Sequence, residues 1–208
     1  MFDSYVEKAK LHFPKLTIKY KNESLFMRFL SFVLFFNKAF STKFITTIGN
    51  TVYFPSKEFI YKNEASATVT LMHELVHIHD SRNKLYFILY MFPQILFLFG
   101  FLGFLNPWLF LLFLFILPLP SFRAYYEFKA YVMTLYVYRF FEKTNDYNVN
   151  YETIKNNIIN NFITSNYYFM FPFKSFLNKK FDDKISIILL DKVPGDLIIY
   201  GIIDNILN

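Results

Sequence analysis

Two histidines four positions apart, His73 and His77, enclose a glutamate, Glu74, in the run Met72-His73-Glu74-Leu75-Val76-His77-Ile78-His79-Asp80. On an α-helix, residues i and i+4 lie on one face, so both imidazoles can reach a single metal ion. Glu74, one step round the helix, can then hold a water on the open position of that metal. Chance alone produces this pattern in a chain of such composition roughly 0.3% of the time, so the signal is specific. The chemistry it implies is hydrolysis by an activated water, with one Zn2+ ion as cofactor and Glu74 as general base.

A catalytic zinc needs a third protein ligand. His79 stands two positions past His77, about 200° round the helix, and points away. Position 83 is Asn, so the longer pattern with a third histidine at fixed distance is absent. Glu127, in Arg123-Ala124-Tyr125-Tyr126-Glu127-Phe128-Lys129-Ala130-Tyr131, is the favoured third ligand, with small Ala124 letting its helix approach the histidine helix. The competing reading is an i, i+4 ion pair from Arg123 to Glu127 on a solvated face, worth a few tenths of a kcal/mol. Glu142, Asp146 and Glu152 are the fallbacks. The oxyanion needs a donor besides zinc, for which Tyr131, Tyr167 and Tyr168 are candidates. Most tyrosines in a chain with 16 of them serve packing.

These groups must be positioned by an α+β, mainly helical fold. Residues 2–13 read as an amphipathic helix ended by Pro14, and Leu16–Tyr20 alternates as a strand. Leu25–Phe36 is almost wholly apolar apart from Arg28; it is either a core helix or one lying in a membrane interface. Phe44–Ile48 and Thr51–Phe54 flank Gly49-Asn50 as a β-hairpin stopped by Pro55. The strand just before the histidine helix reads equally as an exposed edge for an extended peptide and as a plain sheet strand. Asn63 or Ser66 starts the helix that carries the motif, with Ala65, Val69, Met72 and Val76 on the same inward side as the two histidines. Further helices follow at 122–141, 151–162, 175–190 and 197–207, with an aromatic loop at 167–173.

Between the motif and Glu127, Leu85 to Phe122 carries no formal charge and is bounded by Lys84 and Arg123. Such a run reads as membrane-inserted, with Asn106-Pro107 as the turn of a helical hairpin at about 85–122. The first arm is long enough to cross at about 31 Å; the second, about 22 Å and interrupted by Pro118 and Pro120, is not. The hairpin therefore crosses with strain or dips and returns, and in both cases brings Glu127 back to the side of His73. A greasy hairpin covering the domain or an oligomer contact is the non-membrane reading.

Composition bounds the rest. The chain has 208 residues, read as one domain (1–208), and no cysteine, which leaves histidine, carboxylate and water as metal ligands. The +6 charge is spread thinly rather than clustered, so nucleic acid is not an expected partner; it reads first as a solvated basic surface, and second as attraction to anionic lipid headgroups. The first ten residues carry Asp3, Glu7, Lys8 and Lys10, so no signal peptide is expected there.

H-E-x-x-H, a pair of apolar segments, then Glu127-Phe128-Lys129-Ala130 on a following helix resembles the membrane zinc metallopeptidases of the CaaX prenyl protease and heat-shock protease type. The resemblance covers roughly Val69 to Tyr131. It implies a zincin-like catalytic core, with the hairpin inserted between the H-E-x-x-H helix and the Glu-ligand helix. That group usually has Asp after the alanine; Tyr131 stands there, which would pass the support of a ligand histidine to the Tyr131 hydroxyl or to Asp80. The chain is also similar to bacterial and phage zincin-like proteins in which tyrosine follows the alanine. There the likeness extends to Gly49–Pro55, Pro118–Pro120 and Tyr167–Phe173.

The expected function is a membrane-associated zinc endopeptidase. Zinc on His73, His77 and Glu127 activates a water, and Glu74 takes its proton and delivers it to the leaving amine. The substrate is a membrane-proximal or unfolded polypeptide. Basic residues at both ends of the hairpin place the catalytic face on the cytoplasmic side. The alternatives are a non-catalytic membrane protein with a structural or relic zinc site, and a membrane-active or oligomerising factor acting through its hairpin.

Overall fold

Strand β3 (Thr51–Phe54) forms the middle of a three-stranded sheet of order β1-β3-β2, parallel to β1 (Thr17–Tyr20) and antiparallel to β2 (Thr46–Ile48). The computed structural model describes residues 1–33, 39–42, 44–91, 99–116, 120–145, 148–164 and 170–208. The β2–β3 hairpin turns at Gly49, whose φ of 60° is the left-handed conformation that favours glycine. The strand immediately before the motif helix is thus the central one. The edge on the hairpin side is β2, so of the two readings of β3 the plain sheet strand holds and the exposed edge does not. Alternation along β3 buries Val52 and Phe54 under the helices, and the Phe2 ring packs edge-on to Phe54 at 5.5 Å.

Helix α1 (Phe2–His12) ends before Pro14 as the sequence predicts. Helix α2 (Leu25–Val33) and the single turn α3 (Ala39–Thr42) make the crossover from β1 to β2. Lys21, 2% exposed, fastens this crossover by donating to the carbonyls of Phe40 (2.6 Å) and Phe44 (2.9 Å). Its ammonium also lies 3.9 Å from the Phe40 ring centroid, and burial lowers its pKa to about 8 despite the pull of Glu74.

A short helix absent from the sequence reading, α4 (Lys57–Lys62), is started by Ser56, whose hydroxyl accepts from Phe59 N. Helix α5 (Glu64–Asp80) is capped by Asn63, whose Oδ1 accepts from Ser66 N at 3.0 Å. Its burial departs from a one-sided stripe: every residue from 71 to 78 is buried, because the sheet, α1 and the long helix at Pro120–Asn145 surround it. Ala65, expected inward, is half-buried.

A short turn α6 (Lys84–Tyr86) runs into a π-helical turn at Phe87–Met91. Helix α7 (Pro120–Asn145) then begins at a proline, which suits a first helical turn. α7 separates two apolar clusters. One of its faces joins α1, the sheet, α5 and α10 (Leu197–Leu207); the other packs on α8 (Tyr151–Ile163) and α9 (Lys174–Leu189). Ala130 lies in the first cluster, shared with α5, whereas Ala124 lies in the second. The small residue at the α5 contact is therefore Ala130.

In the uncharged stretch, 3-10 helices at Phe101–Phe104 and Pro107–Ile116 turn about Asn106, whose Oδ1 accepts from Trp108 N. The Phe104 and Phe110 rings meet edge-on at 5.6 Å. Gly103 is required here, since a Cβ would come within 2.5 Å of the Phe110 ring. Among the described residues, no helix is long and apolar enough to cross a membrane. Phe104, Leu105 and Trp108 are each more than three-quarters exposed.

Candidate metal centre

The i, i+4 spacing on α5 turns Nε2 of His73 and Nε2 of His77 the same way, and α7 brings Glu127 against them. Oε2 of Glu127 lies 3.7 Å from each of the two nitrogens. All three side chains are buried, with their donor atoms within 4.8 Å of one another. Two imidazole nitrogens and one carboxylate oxygen form a donor set that fits a divalent transition metal such as zinc. Glu127 does not lie on a solvated face: the residue is 4% exposed and its carboxylate faces α5.

Charge explains how a buried carboxylate persists there. Burial alone would push the Glu127 carboxyl up, but His77 and His73 hold it well below the usual carboxylate range by charge and hydrogen bonding. Burial would likewise lower His77, and the Glu127 charge and hydrogen bond more than offset it, so the imidazole is raised. The site is thus poised to exchange protons for a cation.

Each ligand is oriented from its far side by a neutral hydroxyl. Nδ1 of His73 lies 3.2 Å from Thr134 Oγ1, which itself donates to the Ala130 carbonyl and so accepts from the imidazole. Nδ1 of His77 lies 3.3 Å from the Tyr86 hydroxyl, and the Tyr90 hydroxyl donates to Glu127 Oε1 at 2.5 Å. Tyr86 and Tyr90 stack at 5.0 Å, with Tyr126 edge-on to Tyr86. The π-helical turn after Tyr86 puts both phenols on the ligand side. The support expected from Asp80 is thus supplied by Thr134 and Tyr86. The Asp80 carboxylate instead accepts two hydrogen bonds from Lys129, at 2.7 and 2.9 Å, latching the end of α5 to α7.

Glu74 is also buried, and its Oε2 accepts from Thr47 on the edge strand β2 at 2.7 Å. Glu74 is therefore tied to the edge strand of the sheet. Tyr131 meets the site through its ring, edge-on to His73 at 4.7 Å, while its hydroxyl accepts from Asn161 of α8 at 3.0 Å. Tyr167 and Tyr168 lie outside the described residues, as does Asp146. His79 is not among the converging donors; its Nδ1 is 3.8 Å from Asp80. Glu142 pairs with Arg139 and Tyr151, and Glu152 with Lys155.

Sequence reasoning missed Thr47, Tyr86, Tyr90 and Thr134. Only the two phenols left a trace, an i, i+4 pair at the start of the uncharged stretch. No family model, no curated protein and no solved structure matches this chain.

Proposed function

We propose that this protein is a membrane-associated zinc endopeptidase of the zincin type, acting on a membrane-proximal or unfolded polypeptide. The observation that carries the reading is the convergence of His73 Nε2, His77 Nε2 and Glu127 Oε2, with Glu74 one residue along and aimed by Thr47. Among the described residues three side chains converge and no fourth protein donor joins them, which favours an open catalytic site over a closed structural one.

A zinc ion on these ligands would polarise the peptide carbonyl and acidify the attacking water. The chain does the rest. Thr47 keeps one oxygen of Glu74 occupied, leaving the other to take a proton and return it to the leaving nitrogen. Among the described residues only one side of β2 is paired, to β3, so a substrate strand can add along its other edge and bring a carbonyl to Glu74. The apolar stretch starts within the turn that supplies Tyr86 and Tyr90, which ties the site to a lipid surface; Lys84 and Arg123 at its ends favour a cytoplasmic catalytic face.

Glu74→Gln tests this reading. The variant keeps one zinc per chain and loses hydrolysis of an unfolded protein by about 10²-fold or more. Undiminished cleavage would remove Glu74 from its role, and unchanged zinc content in Glu127→Ala would remove the third ligand.

A further inference from the structure

Helix α2 is turned inside out for a protein in water. Leu25, Phe26, Phe29 and Phe32 are 78%, 55%, 65% and 77% exposed, whereas Met27 on the opposite side is fully buried. At 100° per residue the four outward side chains share an arc of about 120°, and exposed Arg28 borders it. The helix holds no acidic residue. Ser24 starts it by accepting from Met27 N and Arg28 N, so the helix is anchored locally and presents this face by construction.

We infer that α2 lies in the surface of an anionic bilayer, with its Leu25–Phe32 face among the acyl chains and Arg28 at the headgroups. This is a second lipid contact in addition to the uncharged hairpin, and it rests on the membrane association proposed above. Charge selects the occupant. A basic side chain bordering an aromatic face complements anionic headgroups, while two copies of a chain at +6 repel one another. The contact also reaches the metal centre. Lys21, three residues before Ser24, holds the Phe44 carbonyl just ahead of β2, the strand whose Thr47 meets Glu74. The segment that leads into α2 is thus bonded to the segment that leads into the edge strand.

The chain offers two independent reporters. Trp108 is its sole tryptophan, exposed in the hairpin, and the absence of cysteine allows single-site labelling. Phe29→Cys carries an environment-sensitive fluorophore; Leu11→Cys on α1, 79% exposed, is the control. On vesicles of phosphatidylglycerol and phosphatidylcholine, the label at position 29 shifts to the blue and the label at position 11 does not. Phe29→Glu with Phe32→Glu, both at exposed positions, retains its circular dichroism and partitions about tenfold more weakly. Arg28→Glu weakens binding to these vesicles more than to pure phosphatidylcholine. A position-29 label that stays aqueous while Trp108 responds would overturn the α2 contact and spare the hairpin. A shift that grows with protein concentration without lipid would assign the face to a second copy. No response from either reporter would overturn membrane association altogether, leaving the zinc and Glu74 tests to decide the chemistry separately.

Discussion

The Tyr90 hydroxyl donates a 2.5 Å hydrogen bond to Oε1 of Glu127, and the other carboxylate oxygen lies 3.7 Å from Nε2 of both His73 and His77. One phenol thereby decides which oxygen faces the two histidines. Glu127 comes from α7, just past the apolar stretch, and Tyr90 from the π-helical turn near its start, so the bond ties the two ends of that stretch together. Supporting groups of this kind commonly contribute 10- to 100-fold in metal affinity.

Tyr90→Phe keeps the ring and removes that donor. Zinc affinity falls about tenfold or more by competition with a chromophoric chelator, since Oε1 is left buried without its partner. Tyr86→Phe has a smaller effect, because its contact to His77 is longer at 3.3 Å. Equal affinity in Tyr90→Phe and the parent would show that the carboxylate is oriented by its helix alone.

Thr47→Val separates the aim of Glu74 from metal binding. The hydroxyl meets Glu74 at 2.7 Å, and a hydrogen bond to a charged acceptor contributes on the order of 2 kcal/mol. Zinc content stays at one per chain while hydrolysis falls about tenfold. A loss of zinc with the rate would instead mean that β2 shapes the ligands themselves.

The candidate metal centre was partly legible in the sequence because helical spacing is a local code: His73 and His77, with Glu74 between them, declare themselves within five positions. Glu127 was reachable through the geometry of an out-and-back hairpin. The hydroxyls around them were not. Thr47 and Glu74 are separated by 27 positions, Tyr90 and Glu127 by 37, and His73 and Thr134 by 61, and nothing in a single sequence marks such pairs. The strands of the sheet were visible as alternating or β-branched runs. The parallel pairing of β1 with β3, which makes β2 the edge, is a tertiary choice. The face of α2 was undecidable from its apolar pattern, since a core helix and an interface helix share that pattern; exposure of Phe29 and Phe32 resolves it against the core.

Lys21 gives a pH signature. Its folded pKa, lowered to about 8 by burial, lies below the unfolded value of about 10.5. Between those values the unfolded chain binds the extra proton, so stability contributed through Lys21 rises as pH increases from 8 to 10.5. Urea denaturation of the parent and of Lys21→Met across this window shows the parent gaining on the order of 2 kcal/mol relative to the variant. A constant gap would mean that Lys21 titrates as an exposed lysine, which its 2% exposure argues against.

Ala130 sets the approach of the two ligand-bearing helices. It is fully buried in the cluster shared with α5, three residues past Glu127, and its carbonyl accepts from the Thr134 hydroxyl that meets His73. Ala130→Leu inserts three carbon atoms where helix meets helix, and overpacking of this kind costs about 1–3 kcal/mol. Strain relieved by separating α5 from α7 also draws Glu127 away from the histidines, so zinc affinity falls together with the urea midpoint. Ala124→Leu is the contrast: it is buried in the other cluster, against α8 and α9, and lowers stability with a smaller effect on zinc. If Ala130→Leu were destabilised yet bound zinc as tightly as the parent, the metal centre would be independent of the helix spacing, and Glu127 would owe its position to Tyr90 alone.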